Sequence, residues 1–256
     1  MSSQWARTWG GTGQEESTRG IAVTNAGDSY FTGETTTFDV GLQDVCTVKF
    51  NSTGSLQWAR TWGTSDNDIG RTTALDSSGN VYVAGATRPG AYLGFLVLKY
   101  DSSGSLLWER YWSCGGGNSE AYGLLVNSDN FVYATGYYGS GGIYEIPLVK
   151  FDTEGVFYWG ESWNDEGTQD GYFLALDSLG LLIIGGSAPN NTGSWGSLTG
   201  SSGTPSGTES TPSGTVTSPT GTVTSPVGTE GSPTGTEDTG GGGYDALVLK
   251  LDADGL

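Results

Sequence analysis

The 256-residue sequence predicts an all-β repeat protein, and three observations carry that prediction. The first is composition: 45 Gly, 9 Trp, 13 Tyr and only 15% charged residues make poor helix material and good strand-and-turn material. The second is a recurring tryptophan pair. Trp5-Ala6-Arg7-Thr8-Trp9-Gly10 returns as Trp58-Ala59-Arg60-Thr61-Trp62-Gly63, as Trp108-Glu109-Arg110-Tyr111-Trp112, and more weakly as Trp159-Gly160-Glu161-Ser162-Trp163. The spacings are 53, 50 and 51 residues. The third is that every lysine of the chain, Lys49, Lys99, Lys150 and Lys250, occupies one repeat position.

Each repeat reads as four strands. A first hairpin runs from Arg71 to Gly85 around the Asp76-Ser77-Ser78-Gly79-Asn80 turn, with counterparts at Val23 to Gly33, Val126 to Gly136 and Leu176 to Gly186. Asp or Asn opens such a turn and Gly supplies the positive φ. A third strand carries the lysine: Val45 to Phe50, Phe95 to Tyr100, Ile146 to Phe151, Ala246 to Leu251. A second turn follows, as in Asn51 to Gly54 and Asp101 to Gly104, and the fourth strand holds the tryptophan pair. Four short antiparallel strands in about 50 residues is the unit of a β-propeller blade. The expected fold is a single four-bladed propeller, with repeats at about 5–57, 58–107, 108–158 and 159–256.

Tryptophans four apart share one strand face, so both indoles of a pair are expected to bury against the next blade. The lysines are expected to lay their stems on the next blade and to pair with an acid such as Glu16, Asp68, Glu120 or Asp170. The chain begins on a tryptophan strand and ends at Asp252 to Leu256, where another would begin. Residues Gln4 to Trp9 are therefore expected to complete the last blade. They do so in the same molecule, closing the ring, or in a neighbour by strand addition, which grows a filament.

The succession of W-x-R-x-W-G, a hairpin ending in Y-V-x-G, and a Lys strand closing with D-x-x-G-x-L-x-W resembles the SBBP-type β-propeller repeat. The best matches are Trp58 to Gly63, Asp76 to Gly85 and Lys99 to Trp108. The resemblance covers about 200 residues and implies a secreted or surface protein of bacteria or archaea. It brings no catalytic motif. The family is commonly described with seven blades, whereas four repeats are present here.

Residues 187–243 interrupt the fourth repeat with Ser, Thr, Gly and Pro, repeating irregularly as in Thr215 to Pro219 and Thr222 to Pro226. Such a stretch cannot bury a core and reads as a flexible loop or as a mucin-like, O-glycosylated segment. The acceptors expected are Thr204, Thr208, Thr211, Thr215, Thr217, Thr220, Thr222, Thr224, Thr229 and Thr234, with N-linked sequons at Asn51 and Asn190.

The absence of histidine removes imidazole chemistry, and two cysteines cannot build a structural zinc site. No cofactor, metal or catalytic residue is expected. The Asp-rich turns lack the bidentate Glu of a calcium loop, the glycine runs precede no helix, and no glycosidase pair stands out among Glu15, Glu16, Asp165 and Glu166. Cys46 stands where other repeats have Leu96, Pro147 and Leu247, as a small core residue, and a bridge to Cys114 is not expected. Net charge −18 with ten bases argues against nucleic acid and anionic membranes, and no apolar run would span a bilayer. The expected function is that of a non-enzymatic extracellular structural protein, glycosylated and self-associating into filaments or a surface layer. The alternative is a module that binds carbohydrate or protein.

Overall fold

The computed structural model describes residues 5–38, 42–113, 116–164 and 167–189, with strands at 194–197, 201–203, 208–210, 215–217 and 245–251. These residues are all-β and antiparallel in every sheet. β1 is Thr8–Gly10. The first unit comprises β2 (Glu15–Val23), β3 (Ser29–Thr35), β4 (Asp44–Phe50) and β5 (Leu56–Gly63). The second comprises β6 (Ile69–Leu75), β7 (Val81–Thr87), β8 (Gly94–Tyr100) and β9 (Leu106–Ser113). The third comprises β10 (Asn118–Val126), β11 (Phe131–Ser140), β12 (Ile143–Asp152) and β13 (Phe157–Asn164). In the fourth, β14 (Asp170–Leu176), β15 (Leu182–Ala188) and β20 (Asp245–Leu251) form a three-stranded sheet. Each four-stranded unit follows chain order, so the tryptophan strand is the outer strand of the sheet that precedes its sequence repeat.

The insertion contributes strands of its own: β16 (Ser194–Ser197), β17 (Ser201–Gly203), β18 (Thr208–Ser210) and β19 (Thr215–Thr217). They add to the outer edges of β13, β9, β5 and β1 respectively. At these positions the insertion is strand rather than loop. Three backbone residues can pair with an open edge whatever their side chains, so a sequence too polar for a core still forms strand. The N-terminal strand, expected to complete the last blade of the same molecule or of a neighbour, pairs with the insertion within the chain. Thr8–Gly10 pairs with Thr215–Thr217, and no register joins it to Asp245–Leu251 among the described residues. Pairing closes no sheet into a ring among them.

Turn chemistry fixes the hairpins. Asp76 Oδ1 accepts the Ser78 and Asn80 amides, Asp101 Oδ1 those of Ser103 and Ser105, and Asp152 Oδ1 those of Glu154 and Val156. The core is divided among the junctions between units. Alternating residues of one strand serve opposite junctions: Val81 and Val83 pack with Trp58 and Trp62 of the first unit, while Tyr82 and Ala84 pack with Val132, Val149 and Phe151 of the third. Trp163 and Ile146 meet Leu182 and Ile184 at the next junction. Inner strands β2, β6, β10 and β14 lie side by side in that order. Backbone bonds pin them, from Asp68 N to Gln43 O at 2.7 Å, Ser119 N to Leu93 O at 3.0 Å and Gln169 N to Tyr144 O at 3.0 Å.

Candidate functional site

Two constellations gather the charged and aromatic side chains. The first is a fastening that recurs at successive junctions. Trp58 Nε1 donates to Ser102 O at 3.2 Å, Arg60 Nε to Gly104 O at 2.6 Å, and Lys49 Nζ to Ser102 O at 3.3 Å. One unit later Trp108 Nε1 and Lys99 Nζ converge on Thr153 O at 2.9 and 2.7 Å, and Arg110 Nε reaches Gly155 O at 2.6 Å. Trp5 and Arg7 do the same to Ser52 O and Gly54 O. Carbonyl dipoles of one tight turn thus receive the donors of the preceding unit's outer strands.

The lysine belongs to a three-strand ladder, Tyr30–Lys49–Trp58, Tyr82–Lys99–Trp108 and Tyr133–Lys150–Trp159. Each Nζ lies 5.1 to 5.4 Å from the tyrosine ring centroid, within cation–π range. Burial works against the Lys49 charge, but the Tyr30 hydroxyl and the Asp28 carboxylate, 3.2 Å away, hold its pKa above the ordinary lysine value. The acidic partner of Lys49 is Asp28, not one of the acids proposed from sequence. Glu16 pairs in register with Glu34 at the far end of the sheet, four residues from the Tyr30–Lys49 rung, or roughly 13 Å along the strand. Glu120 instead pairs with Arg71.

The second constellation is a row across the inner strands. A bulge recurs in each of the second, third and fourth sheets, between Gly70 and Thr72, Ala121 and Gly123, and Gly171 and Phe173. The bulged residues are Arg71, Tyr122 and Tyr172. A bulge leaves its residue out of the ladder and re-aims the side chain. Arg71 Nε bonds Glu120 Oε1 at 2.5 Å, Tyr122 donates to Glu120 Oε2 at 3.4 Å, and Tyr172 to Asp170 Oδ2 at 3.3 Å. Tyr122 stacks within 5.7 Å of both Tyr137 and Tyr172. Burial raises the Glu34 pKa; Arg71 opposes the rise, while Glu16 and Glu120 add to it. Burial and the Glu120 carboxylate push the Tyr137 phenol up to about 12 and Tyr122 higher still, so both stay neutral donors. The row offers hydroxyl donors, ring faces and carboxylate acceptors. It has no nucleophile–base pair, and no group of three His, Cys, Asp or Glu suited to a metal occurs among the described residues.

Of the residues singled out by sequence, Trp62, Trp112 and Trp163 are buried, while Trp5, Trp9, Trp108 and Trp159 are partly so and Trp58 lies at the junction core. Asn51 opens a turn, its Oδ1 accepting the Thr53 and Ser55 amides as Asp101 does in the next unit. Thr208, Thr215 and Thr217 lie on β18 and β19, and Lys250 on β20. Asn190, Thr204, Thr211, Thr220, Thr222, Thr224, Thr229 and Thr234 lie outside the described residues, as do Cys114, Asp165 and Glu166. Cys46 is a buried cysteine opposite Gly33. Sequence reasoning missed the bulge residues, whose shared signal is only their place after an inner-strand Gly or Ala. No protein-family model matches the chain, and no curated protein is significantly similar to it.

Proposed function

We propose that the chain is a non-enzymatic structural module of a cell surface or extracellular matrix, its sheets arranged as blades of a propeller-type repeat array that self-associates. The observation that supports this reading is the fastening. Trp, Arg and Lys, the residues best suited to gripping a ligand, are directed onto turn carbonyls of the next unit at successive junctions. A motif that joins unit to unit within a chain is equally able to join chain to chain. Native material examined by electron microscopy and light scattering should show extended or layered particles. A monodisperse monomer sinks the assembly reading. Subunit mass above that of the bare 26.6 kDa chain is expected from glycans on the Ser/Thr/Pro segment, and an unmodified mass removes that part.

The inner-strand row favours a second reading, a site for a hydroxyl-rich ligand such as a glycan. Partly exposed Tyr122, Tyr137 and Tyr172 beside Arg71 and Glu120 provide stacking faces and paired hydrogen-bond groups. A glycan array probed with intact protein and with Tyr122→Ala separates the two, because only a binding module loses signal on that change.

A further inference from the structure

The Ser/Thr/Pro segment is more regular than its composition suggests. Gly200, Gly207, Gly214, Gly221, Gly228 and Gly235 fall at every seventh residue, and so do Pro205, Pro212, Pro219, Pro226 and Pro233. Strands β16, β17, β18 and β19 begin at Ser194, Ser201, Thr208 and Thr215, again every seventh residue. Their registers are constant: the second residue of each heptad stands opposite the second tryptophan of a pair, as Trp195↔Trp163, Ser202↔Trp112, Glu209↔Trp62 and Val216↔Trp9. The sheets are visited in reverse chain order.

We propose that this repeat is an edge strap, in which each of the four heptads that start at Ser194, Ser201, Thr208 and Thr215 docks one strand of three or four residues on the outer tryptophan strand of one sheet and then steps to the next. The dimensions agree. Sheets pack face to face about 10 Å apart, and the three or four residues between successive strands reach at most about 10–14 Å. A proline stands two residues past the end of β17, β18 and β19 in the sequence, and having no amide hydrogen it is unsuited to prolonging a strand. The strap fills an edge that would otherwise display unpaired backbone groups to another chain. It is also dispensable to the sheet it leaves, because Ala188 and Asp245 are register partners across the β15–β20 pair. A short hairpin turn would connect them. The excursion is therefore explained by what it covers. Its role is to seal the lateral edges, so that association proceeds through other faces; the inference does not depend on the proposed surface function.

Two experiments test it. In the intact chain, Thr208→Pro/Glu209→Pro/Ser210→Pro removes the donors of one strap strand. Hydrogen exchange at the outward amides of Thr61–Gly63 should accelerate roughly tenfold or more while Tyr111–Ser113 and Glu161–Asn164 keep their protection. Unchanged exchange at Thr61–Gly63 overturns the proposal. In the second, residues 190–243 are replaced by an Asn-Gly turn and a synthetic peptide of residues 194–217 is titrated in by calorimetry. One-to-one binding to this strapless variant and none to the intact chain is expected. Absence of binding to a strapless variant whose circular dichroism remains native-like overturns it equally.

Discussion

Trp58 and Ser102, 44 residues apart, are joined by a 3.2 Å bond from indole N–H to backbone carbonyl that crosses a junction between units. The ring also lies on Gly104, whose φ is +85°; a Cβ built there would meet the indole at 2.8 Å. Gly79 has nearly the same φ, +80°, with open space beside it. Gly79→Ala should therefore cost about 1–2 kcal/mol, the left-handed penalty alone, and Gly104→Ala roughly twice that because the indole must move. Denaturant midpoints of the two variants make the comparison. Equal losses would mean that the indole gives way freely.

The first and second tryptophan positions of the repeated pairs should respond differently. Trp62 is fully buried, and Trp62→Ala should cost about 3–5 kcal/mol through the cavity it leaves. Trp108→Phe keeps a ring but loses the bond to Thr153 O, costing about 1 kcal/mol. Thermal unfolding followed by near-ultraviolet circular dichroism reads both.

Arg71→Met leaves the Glu120 carboxylate buried beside Tyr122 without its cation. Because Arg71 is partly exposed, the loss should be about 2 kcal/mol, below that of a fully buried pair. Adding Glu120→Gln should recover much of it. A double variant as unstable as the sum of the singles would show that the two residues do not act as a pair.

Burial holds the Asp68 carboxyl above its ordinary 3.8, against hydrogen bonds from Thr87 and Thr64. The unfolded chain releases that proton at lower pH than the folded one, so stability falls as pH rises from 3.8 through the folded value. Asp101 works in the opposite sense: the Ser103 hydroxyl and two turn amides lower its pKa, and its contribution is lost as pH falls. Asp68→Asn should flatten the decline with rising pH, and Asp101→Asn should flatten the decline toward acid. Urea titrations across the acidic range measure both slopes.

Much of the fold was legible in the sequence because its signals recur. Trp58 and Trp108, or Lys49 and Lys99, identify strands by period, and Asp76 to Gly79 and Asp101 to Gly104 write their turns in residue types with one conformational purpose. The lysine partners were not legible. They are mainly the Tyr30 and Tyr82 rings one strand away and the Ser102 and Thr153 carbonyls, and a carbonyl belongs to every residue. The inner-strand row was hidden because its bulges carry an arginine at one position, Arg71, and tyrosines at the others, Tyr122 and Tyr172, so no single residue type marks them. The strap escaped notice because strands of three residues carry no alternation of apolar and polar positions, leaving only the spacing of Pro and Gly to reveal it.

The alternation of Val81 and Val83 toward one neighbour with Tyr82 and Ala84 toward the other has an evolutionary consequence. Each internal strand is written for two contexts at once, so a substitution suited to one side is never screened from the strand's duty on the other. Units gained or lost by duplication must match at both faces. The identity of Trp5 to Gly10 with Trp58 to Gly63 at every position is in keeping with such a constraint, since a copied unit already fits the site that its parent vacates.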